Sequence, residues 1–300
     1  MPAVTVFTPT FNRAATLPRV YHSLANQTFT DFEWMIVDDG STDETSEMVH
    51  KWVGKLDIKY FFQPNQGKHI AYNHAIEFAS GKYFINLDSD DSCTERALEI
   101  FVREMERLPE GFDGVTVLCM NDDFSVSGEH FPVSPLDCSA LDLRHIYKVK
   151  GEKWGMKFTN VIRQYRFPVL SEVSHVPENV IWDTIAKKYK TRFINERLRI
   201  YHKGQDQITG PRVTRRSALA FAYGNEHGLV NNLEYFLKNP CYFIKSAINY
   251  TRYMLTCGKN PLLIIKNIHF SSAFLILVTA PIGVALWVKD RCKALSIAKQ

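Results

Sequence analysis

Short apolar runs and helical stripes alternate along the first hundred residues. Val4-Thr5-Val6-Phe7-Thr8 is β-branched and apolar, as a buried strand requires, and it breaks at Pro9. Leu17, Val20, Tyr21 and Leu24 then recur at helical spacing, with Thr16 at the N-cap and Pro18 in the first turn. Glu33-Trp34-Met35-Ile36-Val37 predicts a second strand, closed by Asp38-Asp39-Gly40. Ser41 and Glu44 stand in capping-box register before a helix running to about Val53. Ile58-Lys59-Tyr60-Phe61-Phe62 predicts a third strand, and Gly67 to Ala79 a helix stopped by Gly81. Lys82-Tyr83-Phe84-Ile85 is a fourth strand; Leu98, Phe101, Val102 and Met105 mark the face of the helix that follows, beginning near Thr94. Four strand–helix alternations predict an α/β fold around a parallel sheet.

In such sheets ligands lie outside the carboxyl ends of the strands. Polar motifs fall at three of those ends: Thr8 to Asn12, Asp38-Asp39-Gly40, and Asn86-Leu87-Asp88-Ser89-Asp90-Asp91. The last crowds three carboxylates into four positions, and like charges that close repel. A divalent cation resolves the repulsion, because Mg²⁺ and Mn²⁺ take hard oxygen ligands and share their shell with substrate phosphates. An acidic turn leading into the next helix is the plainer alternative. Asp38 and Asp39 serve either a simple turn or a carboxylate accepting from a nucleobase or ribose. Asn12 either closes its loop or faces the ligand. Lys68 is either a solvated first-turn lysine or a cation at a helix N-terminus where phosphate is welcome.

Taken together, Thr8-Pro9-Thr10-Phe11-Asn12-Arg13, Val37-Asp38-Asp39-Gly40-Ser41-Thr42-Asp43, Asn65-Gln66-Gly67 and Leu87-Asp88-Ser89-Asp90-Asp91 resemble the ordered signature of family-2 glycosyltransferases. The likeness is good over about the first hundred residues and weaker to about residue 205. It implies a GT-A nucleotide-sugar fold, with a mostly parallel central sheet flanked by helices, and inversion at the anomeric carbon. By position it makes Asp39 the reader of the nucleobase, usually uracil. Thr8, Pro9, Thr10 and Asn12 become the wall around base and ribose. Asp88 and Asp90 become the DxD pair that meets the ribose and a metal-bound diphosphate, with Mn²⁺ or Mg²⁺ as cofactor and Asp91 assisting. One departure is Tyr72-Asn73, where many relatives carry Arg-Asn; it raises Lys68 as the phosphate contact. The implied organisation is a catalytic domain over 1–210, its nucleotide-sugar half about 1–120 and its acceptor half about 121–210. Residues 211–300 form a helical, basic and apolar C-terminal region.

The second half says less. Asp113 to Met120 predicts a strand; from about Asn121 to Val176 no regular pattern emerges. Val176-Pro177-Glu178-Asn179 precedes a helix containing Ile181, Trp182, Ile185, Ala186 and Tyr189. Direct inversion needs a general base for the acceptor hydroxyl. The resemblance puts Glu178 at that place, with Asp183 in reserve, although a proline–glutamate helix start needs no catalytic reason. Arg192 to Ile194 and Leu198 to Tyr201 predict two short strands. His202 follows, as a structural histidine or a diphosphate or metal ligand, then Lys203 and Gly204-Gln205-Asp206-Gln207. The Gln-x-x-Arg-Trp motif of processive synthases is missing, which favours addition of one sugar.

Composition narrows the setting. Six scattered cysteines without a CxxC pair fit a reducing cytoplasm and not a zinc site. A net charge of +4 gives no reason to expect a nucleic-acid partner. The N-terminus lacks the charged and apolar regions of a secretion signal. Phe270 to Val288 is uncharged and just long enough to span a bilayer, though interrupted by Pro281 and Gly283. Lys266 precedes it, and Lys289, Arg291 and Lys293 follow. Lys245, Arg252, Lys259 and Lys299 add to the positive tail. Basic flanks on both sides disfavour a single crossing and favour an interfacial helix, or a bent pair that dips and returns, at the cytoplasmic membrane face. A buried C-terminal helix is the alternative. The expected partners are a UDP-sugar donor, a glycan or lipid-linked acceptor of cell-surface polysaccharide synthesis, and the membrane surface. Two rivals remain at this stage: a nucleotidyltransferase, for which Pro9-Thr10-Phe11-Asn12 is a poor phosphate loop, and a protein that binds nucleotide-sugar without turnover.

Overall fold

The computed structural model describes residues 1–170, 173, 175–202, 213–262 and 268–297. Expectations resting on Lys203 to Gln207, Lys266 and Lys299 lie outside the described residues. The chain divides into two compact units, residues 1–167 with 184–208, and 168–183 with 209–300.

In the first unit, β1 (Val4–Thr10), β2 (Phe32–Asp38), β3 (Ile58–Phe62) and β4 (Tyr83–Asn86) form a parallel half-sheet in the order β3-β2-β1-β4. Every residue of β1 and β2 is buried, as expected of strands covered on both faces by crossover helices. Those helices are α1 (Leu17–Ala25), α2 (Thr45–Trp52), α3 (Lys68–Phe78) and α4 (Ala97–Glu106). Leu17, Val20 and Leu24 of α1 and Leu98, Phe101 and Met105 of α4 join Val4, Val6, Trp34 and Ile36 in one core. The Trp34 indole N–H donates to Thr8 Oγ1 at 2.9 Å, so this large side chain is buried without an unmet donor.

The sheet continues through elements that sequence periodicity did not reveal. Where an irregular stretch was expected, the chain forms β7 (Leu136–Cys138), α5 (Ala140–His145), β8 (Lys153–Phe158) and α6 (Thr159–Ile162). β8 inserts antiparallel between β4 and β6 (Phe112–Asn121). β9 (Lys190–Tyr201) runs parallel to β6, and β5 (Ser92–Cys93) and β7 pair antiparallel with β9. Thus the sheet is mixed, parallel on the side that carries the motifs. The two short strands expected at Arg192 to Ile194 and Leu198 to Tyr201 are one strand with register shifts against Val117, Leu118 and Cys119. Polar Asn195, Glu196 and Arg197 fall at the irregularity, and Asn195 bonds the Phe131 backbone on both N–H and C=O.

α7 (Asn179–Ala186) straddles the division between units. The second unit packs α8 (Arg215–Asn231), α9 (Pro240–Thr256) and α10 (Phe270–Ile297) around Leu229, Phe243, Ala247, Tyr250 and Ile276. A true capping box, Thr214 with Ser217, starts α8. The box expected at Ser41 and Glu44 does not form: Asp43 takes the first turn of α2 instead, accepting from Thr45 N and Oγ1. Nor do Pro281 and Gly283 interrupt α10, which rules out a bent pair. Pro281 is exposed, and the helix forgoes about one hydrogen bond there.

Candidate functional site

Three loops at the carboxyl ends of β1, β2 and β3 are sewn together by the residues of the motifs. Asn12 adopts φ 51°, a left-handed conformation that asparagine tolerates. Its N–H donates to Ser41 Oγ at 2.8 Å, and its Oδ1 accepts from Thr42 N at 2.8 Å. Ala14 N donates to Asp43 Oδ2, and Asp39 N to Thr10 O. Asp38 is fully buried and accepts from Ser41 N and Tyr60 Oη. Asp39 accepts from Gln63 Nε2, Gln66 N and Gly67 N, each at 2.8 Å, so one carboxylate orders the whole Asn65-Gln66-Gly67 turn. Gly40 sits at φ +89°, and a Cβ there would lie 2.9 Å from Asn65 N. The Thr10 hydroxyl is buried beside this junction with no hydrogen-bond partner among the described residues.

β4 delivers the acidic loop to the same edge, and each carboxylate meets a cation. Asp88 Oδ1 lies 2.8 Å from Lys68 Nζ, and its Oδ2 lies 2.8 Å from Arg199 Nη2. Asn86 Nδ2 also donates to Asp88. Burial alone would raise the Asp88 pKa, but Lys68 and Arg199 outweigh it and hold the carboxyl well below the usual range. Asp91 is buried on Arg199, which donates from Nε at 2.6 Å and from Nη2. Here burial prevails over the guanidinium and pushes the carboxyl up to about 6. Asp90 is about one-third exposed, 3.5 Å from Arg13 Nη2, and its carbonyl accepts from Arg19. Arg199 was not foreseen. The only signal for it was a charged residue inside the apolar run Leu198 to Tyr201, a position that a buried ion pair explains. Beside the loop opens a groove of about 860 Å³ whose lining mixes Arg19, Arg96, Glu95 and His202 with apolar Ile100 and Ile200.

Other residues of the motifs make contacts within the chain. The Thr8 hydroxyl is taken by Trp34, and Pro9 is buried within β1. Both back the loop from behind. Asn73 holds the Phe167 backbone with two 2.8 Å hydrogen bonds. His202 Nε2 lies 2.9 Å from Ser92 Oγ, and Nδ1 pairs with Asp122. Its backbone N–H donates to Asp91, so it buttresses the acidic loop from the side. Glu178 is exposed at the start of α7, with Trp182 Nε1 3.4 Å from Oε2. Asp183, the reserve base, is buried and accepts from Asn232 at 2.7 Å.

Among the described residues no group of three His, Cys, Asp or Glu side chains is arranged to hold a metal ion. Asp88 and Asp90 nevertheless fit Mg²⁺ or Mn²⁺ chemistry, because such ions bind through one or two carboxylates and complete their shell with substrate phosphate oxygens.

Comparison with known proteins gives the same picture. A family model described as glycosyl transferase family 2 matches residues 5–221. The GalNAc(5)-diNAcBac-PP-undecaprenol beta-1,3-glucosyltransferase of Campylobacter jejuni is 29% identical over 216 residues, 70% of this chain and 68% of that protein. Chondroitin synthase of Pasteurella multocida is 38% identical over 105 residues, 35% of this chain but 11% of the synthase, so the chain spans only a small part of that relative's length. Among solved structures, S. aureus TarS 1-349 in complex with UDP-GlcNAc superimposes with a TM-score of 0.61 at 19% identity, covering 92% of this chain and 79% of that one. The mannosyltransferase PcManGT from Pyrobaculum calidifontis, in complex with GDP-Man and Mn²⁺, gives 0.58 at 17% identity, covering 94% and 81%. These two structures carry the fold, which is GT-A. The family model spans most of the chain and contains all of the laced loops and the acidic turn, and the chain belongs to glycosyl transferase family 2.

Proposed function

We propose that the chain transfers one sugar from a UDP-sugar to a glycan or lipid-linked acceptor, with inversion, in cell-surface polysaccharide assembly at the cytoplasmic face of the membrane. The carrying observation is the junction of loops around Asp39 and Thr10, at the sheet edge where Asp88 and Asp90 meet Lys68 and Arg13. Asp39 has accepted three hydrogen bonds and retains capacity for one more, from a uracil N–H. The unpartnered Thr10 hydroxyl supports a ribose or base contact beside it. Lys68 and Arg13 would meet the diphosphate by exchanging carboxylate for phosphate oxygens.

Asp88 and Asp90 would hold Mn²⁺ or Mg²⁺, which when bound offsets the charge developing on the departing diphosphate. Glu178 would take the proton of the acceptor hydroxyl. The acceptor oxygen bonds to C1 from the side opposite the leaving group. The C1–O bond to the β-phosphate breaks, and its electron pair departs with the nucleoside diphosphate. The lipid-linked substrate named for the Campylobacter jejuni relative supports an acceptor of that class. UDP-GlcNAc in one structural neighbour and GDP-Man in another define the two donor classes to compare.

Nucleoside diphosphate release by the purified chain, with Mn²⁺ and a panel of UDP- and GDP-sugars, tests this reading. Asp90→Asn is expected to lower release at least about 100-fold, and Glu178→Gln to lower kcat by about 10²–10⁴ with donor affinity unchanged. Full rate in Glu178→Gln removes the base assignment. No release from any nucleotide-sugar, with or without a lipid-linked acceptor, removes the reading.

A further inference from the structure

α10 is built inside out for water. The residues it turns into its own unit are small or hydroxyl-bearing: Ser272, Ala273, Thr279 and Gly283, with Ile276. The residues it turns outward are large and apolar: Phe270, Phe274, Leu277, Val278, Ile282 and Val288. Phe270 is 85% exposed and Phe274 57%. A helix packed in water has the reverse distribution. At Gly283 a Cβ would lie 2.7 Å from Thr251 Cβ and 2.8 Å from Ile248 O, so α10 and α9 meet backbone to backbone. Close small-residue contact inside and bulky apolar residues outside is how helices pack when lipid is the solvent. The apolar stripe ends in exposed Lys289 and Arg291, the latter stacked 4.9 Å over Trp287. A cation and an aromatic ring at the end of an apolar stripe fit the headgroup level of an anionic bilayer.

Whether such a helix crosses or lies flat depends on what is fastened to it. Ser272 Oγ donates to Leu229 O of α8 at 2.8 Å, Gly283 abuts Ile248 and Thr251 of α9, and Asp290 accepts from Arg252 Nε of α9 at 2.6 Å. α10 therefore lies along α9 over much of its length of about 42 Å. α9 carries exposed Lys245 and half-buried Arg252, and among the described residues only α10 is long and apolar enough to cross. Arg252 reaches Asp290 beyond the stripe, but Lys245 lies one turn from Ile248, which abuts Gly283 within the stripe, so an upright α10 would draw that cation into hydrocarbon, where charged side chains are strongly disfavoured. Lying in the plane keeps it in water. We propose that α10 docks flat on an anionic bilayer, with the Phe270–Val288 stripe among the acyl chains and both ends on one side. This rests on the membrane-side reading above and specifies its geometry.

Two native thiols test it. Cys241, at the start of α9, and Cys292, near the end of α10, are exposed, whereas Cys93, Cys119, Cys138 and Cys257 are buried and serve as controls. Sealed inverted membrane vesicles, cytoplasmic face outward, from bacteria expressing the full chain would be treated with a membrane-impermeant maleimide. Both thiols are expected to react without detergent, within about twofold of each other; Cys292 reacting only after detergent means a crossing and overturns the proposal. In parallel, the purified chain is expected to float with vesicles containing phosphatidylglycerol. The double variant Phe274→Asp, Leu277→Asp should float about tenfold less while releasing UDP from donor at the wild-type rate. Wild-type protein that stays with the unbound fraction overturns docking. Wild-type protein that releases UDP but does not float defeats only this proposal; wild-type protein that floats but releases no UDP defeats only the transferase reading.

Discussion

Arg199 holds two carboxylates of the acidic loop at once, Asp88 and Asp91, and their opposite pKa shifts make it the most informative single residue. Asp91 titrates near 6 in the folded chain against about 4 when unfolded. Between those values the folded chain keeps a proton that the unfolded chain has released, so stability falls as pH rises through that window. Above it, a buried carboxylate depends on Arg199. Asp88 has the other sign: its pKa is depressed, so its contribution is complete above about pH 4 and is lost as pH falls further. Replacing Arg199 with Gln should cost about 3–5 kcal/mol at pH 7.5, where Asp91 is left charged and unpaired, and clearly less at pH 5. Urea denaturation of both proteins at the two pH values measures this. Equal losses at both would show that Asp91 is not the group Arg199 supports.

At the scale of elements, the parallel half of the sheet was legible because β-branched and aromatic residues crowd each strand, with Glu33 and Lys59 the only charges besides the terminal Asp38, and because α1 and α4 carry apolar stripes. β8 was not: Trp154, Met156 and Phe158 alternate as a strand requires, but over only six residues, and its partners β4 and β6 lie far off in sequence. The same holds for β9, whose polar bulge divides one strand into two apolar pieces. Within the site, the motif loops were legible but their wiring was not. Nothing in the order of residues says that Asn12 ties β1 to β2, or that His202 turns to Ser92 and Asp122 rather than toward Asp88. Gly40 tests that wiring. Alanine there meets both a left-handed backbone and the Asn65 amide, and should cost about 1–3 kcal/mol. Because the turn bonded to Asp39 must shift, donor KM should rise more than kcat falls. Unchanged donor KM, read by steady-state kinetics, would mean that the turn does not shape the donor site.

At the scale of the molecule, the sequence divides into a unit that carries all four motifs and a helical unit with an apolar outer face. The first carries the site proposed to bind a nucleotide-sugar. The second carries the surface proposed to meet lipid. A lipid-linked acceptor would give both a common purpose. Donor binding by the first unit is the claim on which the rest depends, and thermal unfolding of the intact chain with UDP-sugar and Mn²⁺ measures it most directly. At donor concentrations about 100 times Kd, binding stabilises by about 2.7 kcal/mol, a rise in Tm on the order of 5 °C. That rise is expected in the wild type, and it should be absent without Mn²⁺ and in Asp90→Asn. No shift with any nucleotide-sugar, or an equal shift in Asp90→Asn, would contradict a donor site built on the acidic loop.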